Sequence, residues 1–173
     1  MLRRVHAWAL VMGLSACGQG LNWREVRFEG LPDRVLLPCK PEQAQRQVQL
    51  GAQSVTLSMK GCEIQDLHFT WSNMPWPSDA QPAQVLRAWQ RASLLSLGAD
   101  PEVADQASSV TLKGADTAPA PTQLTAQAKG GGPQAHFIWW VRAQQVHQLA
   151  VYSHQGPIPK GVLQHLTEGI ELP

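Results

Sequence analysis

The sequence predicts an α+β fold, a mainly antiparallel β-sheet flanked by helices, over residues 24–173. Three observations predict it. Apolar and polar residues alternate in several short runs, the signature of half-buried strands. One run without internal Gly or Pro, Ala83 to Leu97, carries apolar residues at three- and four-residue spacing, as a helix with one apolar face does. The connections between strand-like runs are short enough for hairpins, which antiparallel strands can use and parallel strands cannot.

Arg24 to Phe28 alternates, and Arg34 to Leu37 follows a Leu31-Pro32-Asp33 turn. Arg46 to Leu50 alternates strictly, and Gly51-Ala52 turns the chain into Val55 to Met59. Lys60 to Glu63 reads as a turn before Leu67, Phe69 and Trp71, which take every second position. Prolines between Asn73 and Pro82 then break the pattern. Val85, Leu86, Trp89, Ala92 and Leu95 define the helix stripe, with Ser78 or Asp79 as the start cap and Gly98 at the end. A short helix at Pro101–Ala107, a strand at Val110–Leu112 and a loop at Asp116–Pro121 follow. Leu124 to Ala128 alternates again before the glycine turn at Lys129–Pro133. His136–Val141 and Val146–Tyr152 form the clearest hairpin, turning near Arg142–Gln145. Pro159–Glu168 is a last helix, and Gly169 ends it before Ile170-Glu171-Leu172.

Ahead of this fold lies a different kind of segment. Arg3 and Arg4 precede an apolar run from Ala7 to Leu14, and Leu14-Ser15-Ala16-Cys17 closes it. A basic start, an apolar middle and a small residue before the cut describe a secretory signal peptide. The apolar run falls far short of the roughly 18 residues that a membrane span needs. The four closing residues resemble the lipobox of bacterial lipoproteins. That resemblance implies a signal peptide over residues 1–16, with Cys17 as the first mature residue carrying lipid (palmitate) on its sulfur and amino group. Residues 17–23 then form a lipidated N-terminus and short tether. Several acyl chains anchor a protein firmly where one alone does not. Gly18, not an aspartate, follows the cysteine, which in the family favours the outer over the inner membrane.

Removing the leader takes two of the fourteen basic residues, so twelve face thirteen acidic ones. A mature chain this close to neutral is a poor nucleic-acid ligand, and the membrane is reached through lipid, not through charge. With Cys17 lipidated, Cys39 and Cys62 are the two remaining thiols in an oxidising compartment. A C-x-x-C spacing is absent and no histidine is near either in sequence, which favours a structural disulfide over a catalytic or metal-binding pair. Such a loop closure is worth roughly 3 kcal/mol.

The order of elements carries a second resemblance. A Val-Arg-Phe strand, the segment Leu-Leu-Pro-Cys-Lys-Pro and a middle helix make the first half. A Phe-Ile-Trp-Trp / Gln-Leu-Ala-Val-Tyr hairpin and a helix before Ile-Glu-Leu make the second. This is similar to the PsbP-like family, and it implies an αβα sandwich over residues 24–172 that binds or scaffolds other envelope proteins. It brings no catalytic residue with it.

The search for chemistry is otherwise negative. There is no G-x-S-x-G elbow, phosphate-cradling loop or H-E-x-x-H helix, and no cofactor is expected. Of the five histidines beyond the leader, His136, His147 and His154 lie nearest one another along the hairpin. A turn centred on Ala143 and Gln144 would pair His147 with Trp140 and not with His136, so no metal site is expected. Glu63 with Asp66, and Glu102 with Asp105, sit among polar neighbours and read as solvated charge. Tryptophan is the oddity. Trp76 lies between two prolines, and the adjacent Trp139 and Trp140 must point to opposite sides of a strand, which makes Trp76 and the outward member of that pair candidate partner contacts. The expectation is a lipid-anchored binding or scaffold module with a protein partner in the envelope. The alternatives are a hydrolase-like enzyme with a dispersed site, and a small-ligand or metal carrier.

Overall fold

In a computed structural model, residues 20–50, 53–76 and 80–173 are described. The leader and Cys17 lie outside the described residues, as do the Gly51-Ala52 turn and the candidate caps Ser78 and Asp79. The alternating segments become strands β1 (Arg24–Arg27), β2 (Arg34–Leu37), β3 (Glu42–Leu50), β4 (Gln53–Ile64) and β5 (Leu67–Pro75). Helix α1 (Pro82–Leu97) follows, then β6 (Ser108–Ser109), β7 (Thr122–Gln127), β8 (Gln134–Arg142) and β9 (Gln145–Ser153). Helix α2 (Lys160–Glu168) and β10 (Ile170–Glu171) end the chain. The result is broadly α+β with antiparallel pairing throughout the described strands.

The strands form two sheets: a short one, β1-β2-β10, and a long one, β3-β4-β5-β9-β8-β7-β6. One face of the long sheet is covered by the short sheet and α2. Phe69, Trp71, Ile138, Trp140, Leu149 and Val151 pack there against Val26, Phe28, Val35, Leu37, Val162 and Leu166. The other face packs Phe137, Trp139, Val141, Val146 and Ala150 against Val85, Leu86, Leu94 and Leu97 of α1. Cys39, just beyond β2, lies within disulfide distance of Cys62 in β4, their Cα atoms 5.9 Å apart. The pair ties the short sheet to the long one.

Several boundaries differ from expectation for identifiable reasons. Lys60–Glu63 is not a turn: Gly61 pairs with Thr70 and the strand runs on to Ile64. The reversal comes at Gln65-Asp66, where Gln65 takes a left-handed φ of 58°. Strand β5 continues to Pro75, paired with Gln145, before proline ends it. Val110–Leu112 is not a strand; β6 forms two residues earlier, and the Val110 amide bonds the Pro121 carbonyl. The β8–β9 turn does centre on Ala143 and Gln144, with φ of 49° and 61° as a two-residue primed turn requires, and Trp140 faces His147.

Helix α1 starts at Pro82, which needs no amide partner, and Gln81 takes the cap position without a side-chain hydrogen bond. It ends at Gly98, whose φ of 83° is the left-handed cap conformation that glycine adopts without strain. Its buried stripe is Val85, Leu86, Gln90, Ser93, Leu94 and Leu97, rotated from the expected one. Ala92 is exposed, and Leu95 is the largely exposed apolar side chain of the helix at 62%. The helix lies off-centre on the sheet, and that offset creates the site described next.

Candidate functional site

Seven strands at about 4.8 Å spacing span about 30 Å, whereas one helix with its side chains covers only about 10 Å. Helix α1 spends its cover on β8 and β9. Polar clips fix it there: Ser93 Oγ donates to Gln148 Oε1 at 2.5 Å, and Gln90 Nε2 donates to Thr122 Oγ1 at 2.9 Å. Trp139 Nε1 donates to the same Gln148 oxygen at 2.8 Å, so the oxygen joins helix, β8 and β9. The same face of β3, β4 and β5 is left open, and a groove of about 470 Å³ runs along it beside the helix. That volume is in the range of small-molecule sites.

The floor is apolar: Val48, Leu57, Met59 and Met74 line it. The wall is the flank of α1, where Trp89 stands beside the small residues Ala88, Ala92 and Ser96. At one end the lining turns polar with His68, Thr70 and Tyr152. The His68 and Tyr152 rings lie 6.0 Å apart. Burial pushes the Tyr152 hydroxyl above its ordinary pKa, while a hydrogen bond with Thr70 and the Arg46 guanidinium pull the other way. The charge of Arg46, on β3 and in the same lining, therefore acts on this polar end. The described lining residues hold Arg46, His68 and His154 as cationic or titratable bases, and no Asp or Glu.

The opposite face of the sheet holds a buried charged cluster. Arg142 Nη1 is 2.9 Å from Asp33 Oδ1, and His147 Nε2 is 3.5 Å from Asp33 Oδ2. Asp33 is 2% exposed and His147 is fully buried. The His147 ring stacks 4.9 Å from Trp140 and 6.2 Å from Trp71. Burial, reinforced by the Arg142 charge, pushes its pKa down to about 3, so it is neutral. Burial raises the Asp33 pKa, and Arg142 opposes that rise. Both His147 nitrogens lack a hydrogen-bond partner among the described residues. Asp33 and His147 are closed to solvent, Arg142 keeps 15% of its side chain exposed, and none of the three lines the groove beside α1.

No protein family, curated protein or solved structure matches this chain. Its site has to be read from its own residues.

The residues singled out from sequence are scattered by the fold. Trp139 and Trp140 point to opposite faces, but both are fully buried and neither can contact a partner. The expected outward member does not exist because both faces of β8 are covered, one by α1 and the other by the short sheet. Trp76 is half-buried and packs at the edge of the α1 core. His136 bonds Thr125 Oγ1 at 2.8 Å on the face away from the groove, while His154 is exposed at the groove rim. Among the described residues no three His, Cys, Asp or Glu side chains gather as a metal site. Glu102 and Asp105 pair with Arg91 and Arg87 on the helix surface, with Nη–O distances of 3.3 and 2.8 Å. Neither carboxylate pair lines the groove.

Part of the expected tether is also docked. Leu21 and Trp23 pack on the core beneath the short sheet, where Trp23 stacks 5.3 Å from His165. Sequence reasoning missed the groove itself because its walls come from β3, β4, β5, β9 and α1. One signal was present: Ala88, Ala92 and Ser96 put small side chains on one helix flank next to Trp89, a flank too shallow to fill a core.

Proposed function

We propose that this chain is a lipid-anchored, periplasm-facing binding or scaffold module of the bacterial cell envelope, and that its ligand or partner sits in the groove beside α1. One observation carries the reading: a sheet face with an apolar floor is left open along a helix that is clipped to one side. The layering, with α1 on one face of the long sheet and α2 on the other, supports the finer reading of a PsbP-like αβα sandwich. The lipobox-like Leu14–Cys17 supports the anchor. From Cys17 to the docked Leu21 the chain can span at most about 14 Å at about 3.5 Å per residue. The domain is then held against the bilayer. Its anchored end joins the face opposite the groove, which leaves the groove mouth clear.

The test uses a photocrosslinking residue in intact cells, at Ala92 on the groove edge and at exposed Lys113 as the control. An adduct of defined mass at Ala92 and not at Lys113 is expected; equal labelling at both would overturn the groove as the binding surface. Cys17→Ser should release the chain from the membrane fraction. A variant that still sediments with membranes removes the anchor from the proposal.

A further inference from the structure

Resting on that binding reading, we infer that the groove takes an acyl chain with an anionic head group, a carboxylate or a phosphate. The floor of Val48, Leu57, Met59 and Met74 offers only apolar contact, and two of the four are methionines, whose unbranched side chains adapt to flexible aliphatic ligands. Trp89 closes the wall beside them. Such a surface rewards burial of methylenes by about 0.8 kcal/mol each.

Charge decides the head group. Arg46 lies opposite Leu57 on the same face, at the junction of floor and rim. It has no ion-pair partner among the described residues, although Arg27, Arg34, Arg87, Arg91 and Arg142 all do. Arg46 lines the same groove as Thr70 and Tyr152, and Tyr152 is hydrogen-bonded with Thr70. A guanidinium fork on the groove lining matches the planar or tetrahedral oxygens of a carboxylate or phosphate. Glu63 stands opposite His68 in the strand register but does not line the groove. Arg46 is the cation left for a ligand.

The experiment titrates the full chain, purified without detergent, with dodecanoate, dodecyl phosphate, dodecanol and dodecyltrimethylammonium below their aggregation concentrations. Binding is read by Trp fluorescence and native mass spectrometry. One-to-one binding of the two anionic probes is expected, at least tenfold weaker in Arg46→Gln, with the cationic probe excluded. The ratio of dodecanoate to dodecyl phosphate affinity separates a free fatty acid from a phospholipid-type head as the source. Equal affinity for all four probes, or anionic binding indifferent to Arg46→Gln, overturns the anionic head while leaving an apolar groove in place. Binding by no probe overturns the acyl-chain inference altogether, and the Ala92 crosslink then judges the groove separately. Ala92→Trp, which fills the groove from an exposed helix position, should abolish probe binding while the unfolding midpoint stays unchanged.

Discussion

On one face of the long sheet, His147 is sealed between Trp71 and Trp140 with Asp33 and Arg142 beside it; on the other, His68 and Tyr152 meet at the end of a groove that α1 leaves open. The residue types are alike, and their burial differs. On the sealed face the buried Asp33 has little water to fall back on, so Arg142 holds it and His147 stays neutral. In the open face the Arg46 charge is solvated and uncommitted. Buried polar groups thus serve the fold on one side, and exposed ones remain disposable for binding on the other.

The sharpest way to break this contrast is to remove one partner from the sealed cluster. Arg142→Ala should cost about 3–5 kcal/mol of unfolding free energy, because it leaves Asp33 buried and unpaired. Urea denaturation checks it. A loss below about 1 kcal/mol would mean that the cluster is better hydrated than its burial indicates. Next in size is the link between the sheets. Cys39→Ser should lower stability by roughly 3 kcal/mol, and reductant should do the same to the wild type while leaving the variant unmoved. Identical melting with and without reductant would remove the disulfide from the account.

Acid should act on the buried histidines of the sealed face. His136 and His147 are pushed by burial from the ordinary 6.5 down to about 4 and about 3. The folded chain keeps both neutral while the unfolded chain takes up protons below 6.5. Stability is therefore full above pH 6.5 and falls with pH, by up to about 1.4 kcal/mol per pH unit for each histidine, until the folded pKa values are reached. The raised Asp33 works against this, since the folded state takes up its proton first. His136→Gln should remove one histidine's share of the slope between pH 6 and pH 4.5 while keeping a partner for Thr125. Parallel slopes for variant and wild type would show that His136 does not carry it.

How much of this could be read from the chain alone follows the same division. Period-two runs such as Leu67-Phe69-Trp71 and the Ala143-Gln144 turn were legible, because local sequence sets strand alternation and hairpin register. That His136 does not stand opposite His147 followed from that register. Trp139 and Trp140 were misplaced because alternation says that they face opposite ways, but not that both sides are covered. Lys60–Glu63 looked like a turn because glycine is a turn former, whereas here a Cβ on Gly61 would come within 2.9 Å of the Phe69 carbonyl oxygen and the glycine serves close packing. The groove was illegible for a larger reason. It depends on where α1 sits sideways on the sheet, and that is set by contacts such as Ser93 with Gln148, which lie 55 residues apart.

The smallest expected effect is the most telling for the comparison. Arg46→Gln lies on the open face, makes no ion pair among the described residues and should change unfolding free energy by no more than about 0.5 kcal/mol, as surface substitutions do. The matching change on the sealed face, Arg142→Gln, removes the same charge from beside Asp33 and should cost several times more. If urea denaturation ranks the two arginines alike, burial does not separate the faces, and the division between a structural side and a binding side fails with it. If Arg46 proves neutral for stability, any effect of its loss on ligand capture belongs to the ligand and not to the fold.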